Sequence, residues 1–352
     1  MRAYWGKRYV RVPYWPPRSL WPGIACSLGT RALGLTCLQR WTKSWWLRNR
    51  PLDTWYDDRL DDALRHLLRE KLFDVVIVEY AIWSRALTLF ERPVLKVIDT
   101  HDVFTDRYKL LSHSDASPVF WPWGSVSLSA RDEKRALDRA DVVIAIQSQE
   151  AERLRSVTRS RVVTVGHLLT GLKAPCNGAT GHDMLFVGSA WVPNVDGMRW
   201  FIREVLPKVR RQVPSARLLV AGHICRELPA ADGCVKLWFV DDLEQAYRQA
   251  AVVVNPVGSG TGLPIKSIEA LGFGRALVSC PSGARGLEDA IGHGLIVAQS
   301  VPEWVDNLSQ LLADGQTAAK TGDAAYRFAQ QWNARQCEEL QMLLTRPATC
   351  QP

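Results

Sequence analysis

With 352 residues the chain is long enough for two domains that each bury a core, and its 47% hydrophobic and 23% charged content excludes a disordered, collagenous or coiled-coil protein. The net charge of +8 is unevenly spread: residues 1–50 hold ten of the 44 Lys and Arg and none of the 36 Asp and Glu, so the remainder is close to neutral. The most apolar stretch, residues 72–90, is interrupted by Asp74, Glu79 and Arg85 and offers no uncharged run that spans a bilayer, while the eight scattered cysteines show neither a C-x-x-C pair nor a metal-type spacing with histidine.

The basic segment 1–50 also holds six of the 15 tryptophans (Trp5, Trp15, Trp21, Trp41, Trp45 and Trp46). That composition suits either an anionic membrane interface or a solvated basic face over a tryptophan core. No secretory signal is expected, because Arg2, Lys7, Arg8 and Arg11 lead into prolines instead of an apolar run. A nucleic-acid partner is not expected either, since no helix-turn-helix, zinc-finger or RNP-type pattern accompanies the charge. The expectation is a cytoplasmic protein with reduced thiols, in peripheral contact with the inner face of the cytoplasmic membrane if residues 1–50 face lipid. Residues 8–15 read as a strand and 18–48 as a helix, without an opening apolar strand that leads into a glycine-rich turn.

From residue 57 onward apolar runs alternate with amphipathic stretches, the pattern of a parallel α/β protein. Leu60, Ala63, Leu64, Leu67 and Leu68 share one helical face behind a capping Asp57 or Asp58. Buried strands are expected at 74–79, 94–98, 141–146 and 161–165. Residues 166–182 lose periodicity and collect Gly, Pro, Asn and Thr, as a linker does. A second α/β unit then begins, with strands at 183–187, 216–221, 251–255, 276–280 and 294–297 and helices at 196–212, 242–249, 264–273 and 302–313. Residues 317–346 read as a helix with no strand after it, free to pack back across the domain junction.

The chemistry concentrates in residues 252–279, which read strand, glycine-rich loop, helix, tight turn, strand. Gly258, Gly260 and Gly262 leave backbone N–H groups open, and the helix after Pro264 aims its positive end at the loop, which makes an anion site suited to phosphate. Lys266 in the first turn supplies a point charge to a diphosphate, and Glu269 one turn on accepts hydrogen bonds from ribose hydroxyls. Two other readings of the glycines stand beside this one. A loop that serves only to turn needs no ligand, and a dinucleotide fingerprint lacks its third glycine, at Leu263, and its acidic residue near 278–282.

Residues 258–287, GSGTGLPIKSIEALGFGRALVSCPSGARGL, resemble the donor-site signature of retaining glycosyltransferases of the GT-B fold, the family-4 or glycosyl transferase group 1 type. Residues 185–222 resemble the opening strand, loop and helix of that family's C-terminal domain, residues 133–154 its helix and strand before the linker, and residues 96–104 the strand bearing its donor-proximal histidine. The resemblance runs over residues 57–345. It implies two Rossmann-like domains facing a cleft: an N-terminal domain at 1–168, apparently incomplete at its start, a linker at 169–182, a nucleotide-sugar domain at 183–330, and a helix and tail at 331–352 that pack back on the first domain.

The resemblance also implies transfer of a sugar, with retained anomeric configuration, from a nucleoside diphosphate sugar to a hydroxyl of a glycan or lipid-linked acceptor, with no cofactor and no metal. Glu269 matches the second glutamate of the family's E-x7-E motif and Gly262, Leu263 and Pro264 its phosphate-contacting loop. The first glutamate is replaced by Thr261, and the usual arginine after Gly188 by Ser189, so Lys266 carries most of the charge for the diphosphate. Gly222 and Gly260 complete the donor side. Val240 and Asp241 lie on the turn at 235–247 that resembles the base-binding turn, although Asp241 and Asp242 serve equally as helix caps. His101 matches the histidine beside the transferring centre, with Asp99 and Asp102 as orienting groups; a histidine fixed by strand-end capping or a metal cluster are the other readings of the three. His101, Lys266 and Glu269 are the expected catalytic residues. A non-catalytic sugar-nucleotide-binding or scaffold protein and a GT-B-type nucleotide-sugar epimerase are the alternatives.

Overall fold

The computed structural model describes residues 51–91, 93–105, 127–170, 172, 181–260 and 262–345. The strand, helix and membrane contact expected of residues 1–50 lie outside these residues, as do Thr261 and most of the expected linker. Two compact units emerge, one ending at Thr164 and one spanning Val165–Leu343. Each has its own core.

In the first unit β1 (Val75–Glu79), β2 (Leu95–Asp99), β3 (Val142–Ala145) and β4 (Arg161–Thr164) form a parallel sheet in that order. Every residue of β3 is buried, as a parallel sheet covered on both faces requires, which is why its sequence is a plain apolar run. Helix α1 (Arg59–Glu70) begins where the Asp57 carboxylate accepts the Arg59 N–H at 3.1 Å. Its five-residue apolar stripe is half-buried while the opposite face is exposed. Between β1 and β2 lies a 3₁₀ stretch, Ala81–Leu89, which buries Ile82, Ala86 and Leu87 in the core with Leu52, Trp55 and Leu137. Helices α2 (Ala130–Leu137) and α3 (Ser148–Val157) flank β3 in the chain.

The second unit holds β5 (Asp183–Val187), β6 (Arg217–Ala221), β7 (Cys234–Trp238), β8 (Val252–Asn255), β9 (Ala276–Ser279) and β10 (Leu295–Val297), all parallel, in the order β10-β9-β8-β5-β6-β7. The helix expected at 196–212 starts earlier. Helix α4 (Val192–Trp200) accepts Pro193 in its first turn, where no N–H is needed, and runs through a π-turn at Phe201–Val205 into α5 (Leu206–Gln212). Pro207 explains the π-turn: its ring crowds the carbonyl four residues back and it offers no N–H, so the ladder widens ahead of it. Helices α6 (Leu243–Gln249), α7 (Ile265–Gly272), α8 (Val301–Ala313) and α9 (Gly315–Thr345) follow. Trp304 of α8 is buried edge-on against Phe201, with ring centroids 5.5 Å apart.

The segment after β4 is tied to α9 within this unit. Gln336 accepts the Gly166 N–H, Asn333 the Leu169 N–H, and the Trp332 indole donates to the His167 carbonyl. These are backbone groups outside any helix or sheet, and a side chain takes the place of the missing ladder partner. Among the described residues Cys225, Cys234, Cys280 and Cys337 are free thiols, and no helix is long and apolar enough to cross a membrane.

Candidate functional site

The chain order of the second sheet locates a crevice. The chain runs from β5 outward through β6 to β7, then returns to the other side of β5 and builds β8, β9 and β10 outward. The reversal falls between β5 and β8, and in open parallel sheets ligands bind at such a switch point, outside the carboxyl ends of the strands. Gly188 and Ser189 lie at the end of β5, and the glycine loop with α7 follows β8.

Lys266 projects from the first turn of α7 toward the segment that follows β5. Its Nζ donates to Asn194 Oδ1 and lies 5.0 Å from the centroid of the Phe186 ring. Asn194 is buried and its amide nitrogen donates to the Ser189 carbonyl at 3.1 Å, so one side chain joins both lips of the switch point. Burial pushes the Lys266 ammonium down to about 8, against the opposing influence of Cys280 and Glu269. Glu269, on the same helix, is pushed up by its own burial, with Lys266 opposing. Beside it the buried Tyr247 hydroxyl has no hydrogen-bond partner, and its ring stacks on Phe273 at 4.2 Å.

The glycines shape the same place. Gly222 at the end of β6 has φ +102°, and a Cβ there would stand 2.3 Å from the Gly188 carbonyl oxygen, so the two strand ends meet with no side chain between them. Gly262 also has a positive φ, 76°, and Leu263 is buried beneath the loop. Arg285, on the turn after β9, donates from Nη1 to the Gly260 carbonyl at 2.6 Å. A Cβ on Gly260 would lie 3.5 Å from the Trp191 ring. Gly188, Ser189, Gly260, Gly262, Leu263 and Lys266 thus converge on one crevice, with Glu269 on the helix that bounds it.

Val240 and the exposed Asp241 lie past the end of edge strand β7, two strands out from β5. Asp242, not Asp241, caps α6: its carboxylate accepts the Glu244 and Gln245 N–H groups. Beside this turn stand the exposed Trp238, held at φ 60°, and Phe239, 74% exposed.

His101 belongs to the first unit, just past β2. It sits at φ 52°, with its ring 4.9 Å from that of Tyr80, itself at φ 67° past the end of β1. Left-handed backbone at two neighbouring non-glycine residues is costly and marks functional sites. His101 Nε2 is 3.6 Å from Asp99 Oδ2 and has no hydrogen-bond partner. Burial raises the Asp99 carboxyl, His101 lowers it and Glu79 adds to the rise. Among the described residues no three metal-ligating side chains are grouped. Sequence reasoning missed Asn194, Tyr247, Arg285 and Tyr80. Asn194 had a signal, since it lies in the first turn of the first helix after β5.

Residues 181–314, which span this crevice, match a family model described as glycosyl transferases group 1. The second unit carries a glycosyl transferases group 1 domain. The described residues have the GT-B fold, on their likeness to solved glycosyltransferases. One is Staphylococcus aureus TarM, as a point mutant in complex with fondaparinux, alpha-GlcNAc-glycerol and UDP (13% identity, TM-score 0.60, 80% of this chain and 58% of that one). Another is sucrose-phosphate synthase of Thermosynechococcus elongatus (18%, 0.60, 81% and 76%). A third is HepE of Anabaena in complex with UDP and glucose (15%, 0.56, 80% and 81%). A curated relative, an uncharacterized 44.6 kDa protein in the cps region of Klebsiella pneumoniae, is 28% identical over 129 residues, 33% of this chain and 33% of that protein. The chain thus matches a third of the length of that relative and spans 58% of TarM.

Proposed function

We propose that the protein is a glycosyltransferase that moves a sugar from a nucleoside diphosphate sugar to a hydroxyl of a glycan or lipid-linked acceptor in cell-envelope polysaccharide synthesis, with retained anomeric configuration and no metal. The observation that carries this reading is the buried ammonium of Lys266, held by Asn194 at the switch point of the second sheet. A cation kept in a place that penalises its charge is accounted for by an anion that binds beside it. As the bond to the sugar breaks, negative charge develops on the departing diphosphate. Lys266, the open amides of the glycine loop and the N-terminus of α7 supply preorganised positive potential where that charge appears. Glu269 takes the ribose hydroxyls.

The UDP present with TarM and HepE and the cps-region setting of the Klebsiella protein support the donor and pathway classes. The test is release of nucleoside diphosphate from a panel of UDP- and GDP-sugars, with and without lipid-linked acceptors, for the wild type and for Lys266→Ala and Glu269→Ala. Turnover of one donor that falls at least about 100-fold in both variants is expected, the scale of a lost transition-state contact. Equal rates in all three proteins would remove the site. Tight binding without turnover would favour the non-catalytic reading, and a changed sugar without acceptor the epimerase.

A further inference from the structure

Lys266 is not alone at the crevice. Its neighbour Ser267 donates from Oγ to the Gly283 carbonyl at 2.7 Å and receives the Asn255 amide at 2.9 Å. That chain of two buried bonds fixes the turn after β9 against the start of α7. Gly283 is locked there: a Cβ would stand 2.0 Å from Ser279 Oγ and 2.6 Å from Asn255 Nδ2. On the loop side, the Ser282 hydroxyl and the Cys280 thiol both donate to the Val257 carbonyl. Arg285, two residues beyond Gly283, is therefore rooted on the same rigid turn and reaches the Gly260 carbonyl across the glycine loop.

One donor of that guanidinium is used, and no carboxylate pairs with it among the described residues. A guanidinium has five N–H donors in a fork that suits phosphate. Ser189 at the opposite lip is neutral, so Lys266 by itself faces a diphosphate that carries at least two negative charges. We infer that Arg285 is a second donor-binding residue, whose free N–H groups contact the phosphate distal to the nucleoside. This rests on the reading of the crevice as a nucleoside diphosphate site.

The probes are UMP and UDP, titrated calorimetrically against the wild type, Arg285→Gln and Arg285→Lys at fixed ionic strength. Glutamine keeps a donor for the Gly260 carbonyl and loses the charge. Arg285→Gln is expected to weaken UDP by about tenfold or more, the scale of a charge-assisted hydrogen bond, and UMP by less than about threefold. Arg285→Lys should recover part of the UDP affinity. If UMP and UDP weaken alike, or neither weakens, Arg285 is only a strut for the loop and the inference is overturned while the nucleotide site stands. A wild type that binds neither nucleotide overturns the site itself, and the inference with it.

Discussion

Lys266 links binding and stability through one proton. Its pKa in the folded chain is about 8, against 10.5 for a free lysine, because burial disfavours the charge. Below pH 8 the ammonium is charged in folded and unfolded chains alike, and the folded one bears the desolvation penalty. Between pH 8 and 10.5 the unfolded chain holds more protons, so the contribution of this residue to stability rises with pH. The Lys266→Met variant, which keeps the aliphatic stem and loses the charge, should therefore show a weaker gain in urea-unfolding free energy from pH 7 to 9.5 than the wild type. Identical pH profiles would mean that the ammonium is solvated. Asn194 decides where the ammonium points, and no local pattern shows the pairing, because residues 194 and 266 meet only once β5 and β8 lie side by side.

At the scale of elements, the crevice depends on strand ends that approach without side chains. Gly222→Ala forces an L side chain to φ +102° and its Cβ onto the Gly188 carbonyl, and should cost about 1–3 kcal/mol from backbone strain, with more from the clash. A thermal midpoint within a degree of the wild type would contradict that geometry. The strands themselves, apart from β7, were legible in the sequence. β3, β8 and β9 are buried on both faces, so VVIA, VVVN and ALVS each open on at least three consecutive apolar residues, with expected bounds within two residues. The α4 start was not legible, because Pro193 reads as a helix breaker until its first-turn position is seen, and nothing in the continuous helix expected over 196–212 marked the π-turn ahead of Pro207. The 3₁₀ stretch at Ala81–Leu89 was not singled out, although Ile82, Trp83, Ala86 and Leu87 recur at a helical spacing.

On the scale of the molecule, function divides between two units with separate cores. The second holds the glycosyl transferases group 1 domain, the switch point and the residues proposed for the donor, and the first holds the strained Tyr80 and His101 pair. The glycine loop, Lys266 and Glu269 were readable as one group because they are contiguous in the chain. Asn194, Arg285 and Tyr80 were not, since each acquires its role from a contact with a distant segment. The most direct test of the central claim is a calorimetric titration of UDP into the wild type and Lys266→Met at pH 7.0 and 9.5. Binding to the wild type should be strong at pH 7.0 and fall at 9.5 as the free ammonium deprotonates, and Lys266→Met should bind about 10–100-fold more weakly at pH 7.0 with little further change at 9.5. Equal affinity in the two proteins at pH 7.0 would contradict the account.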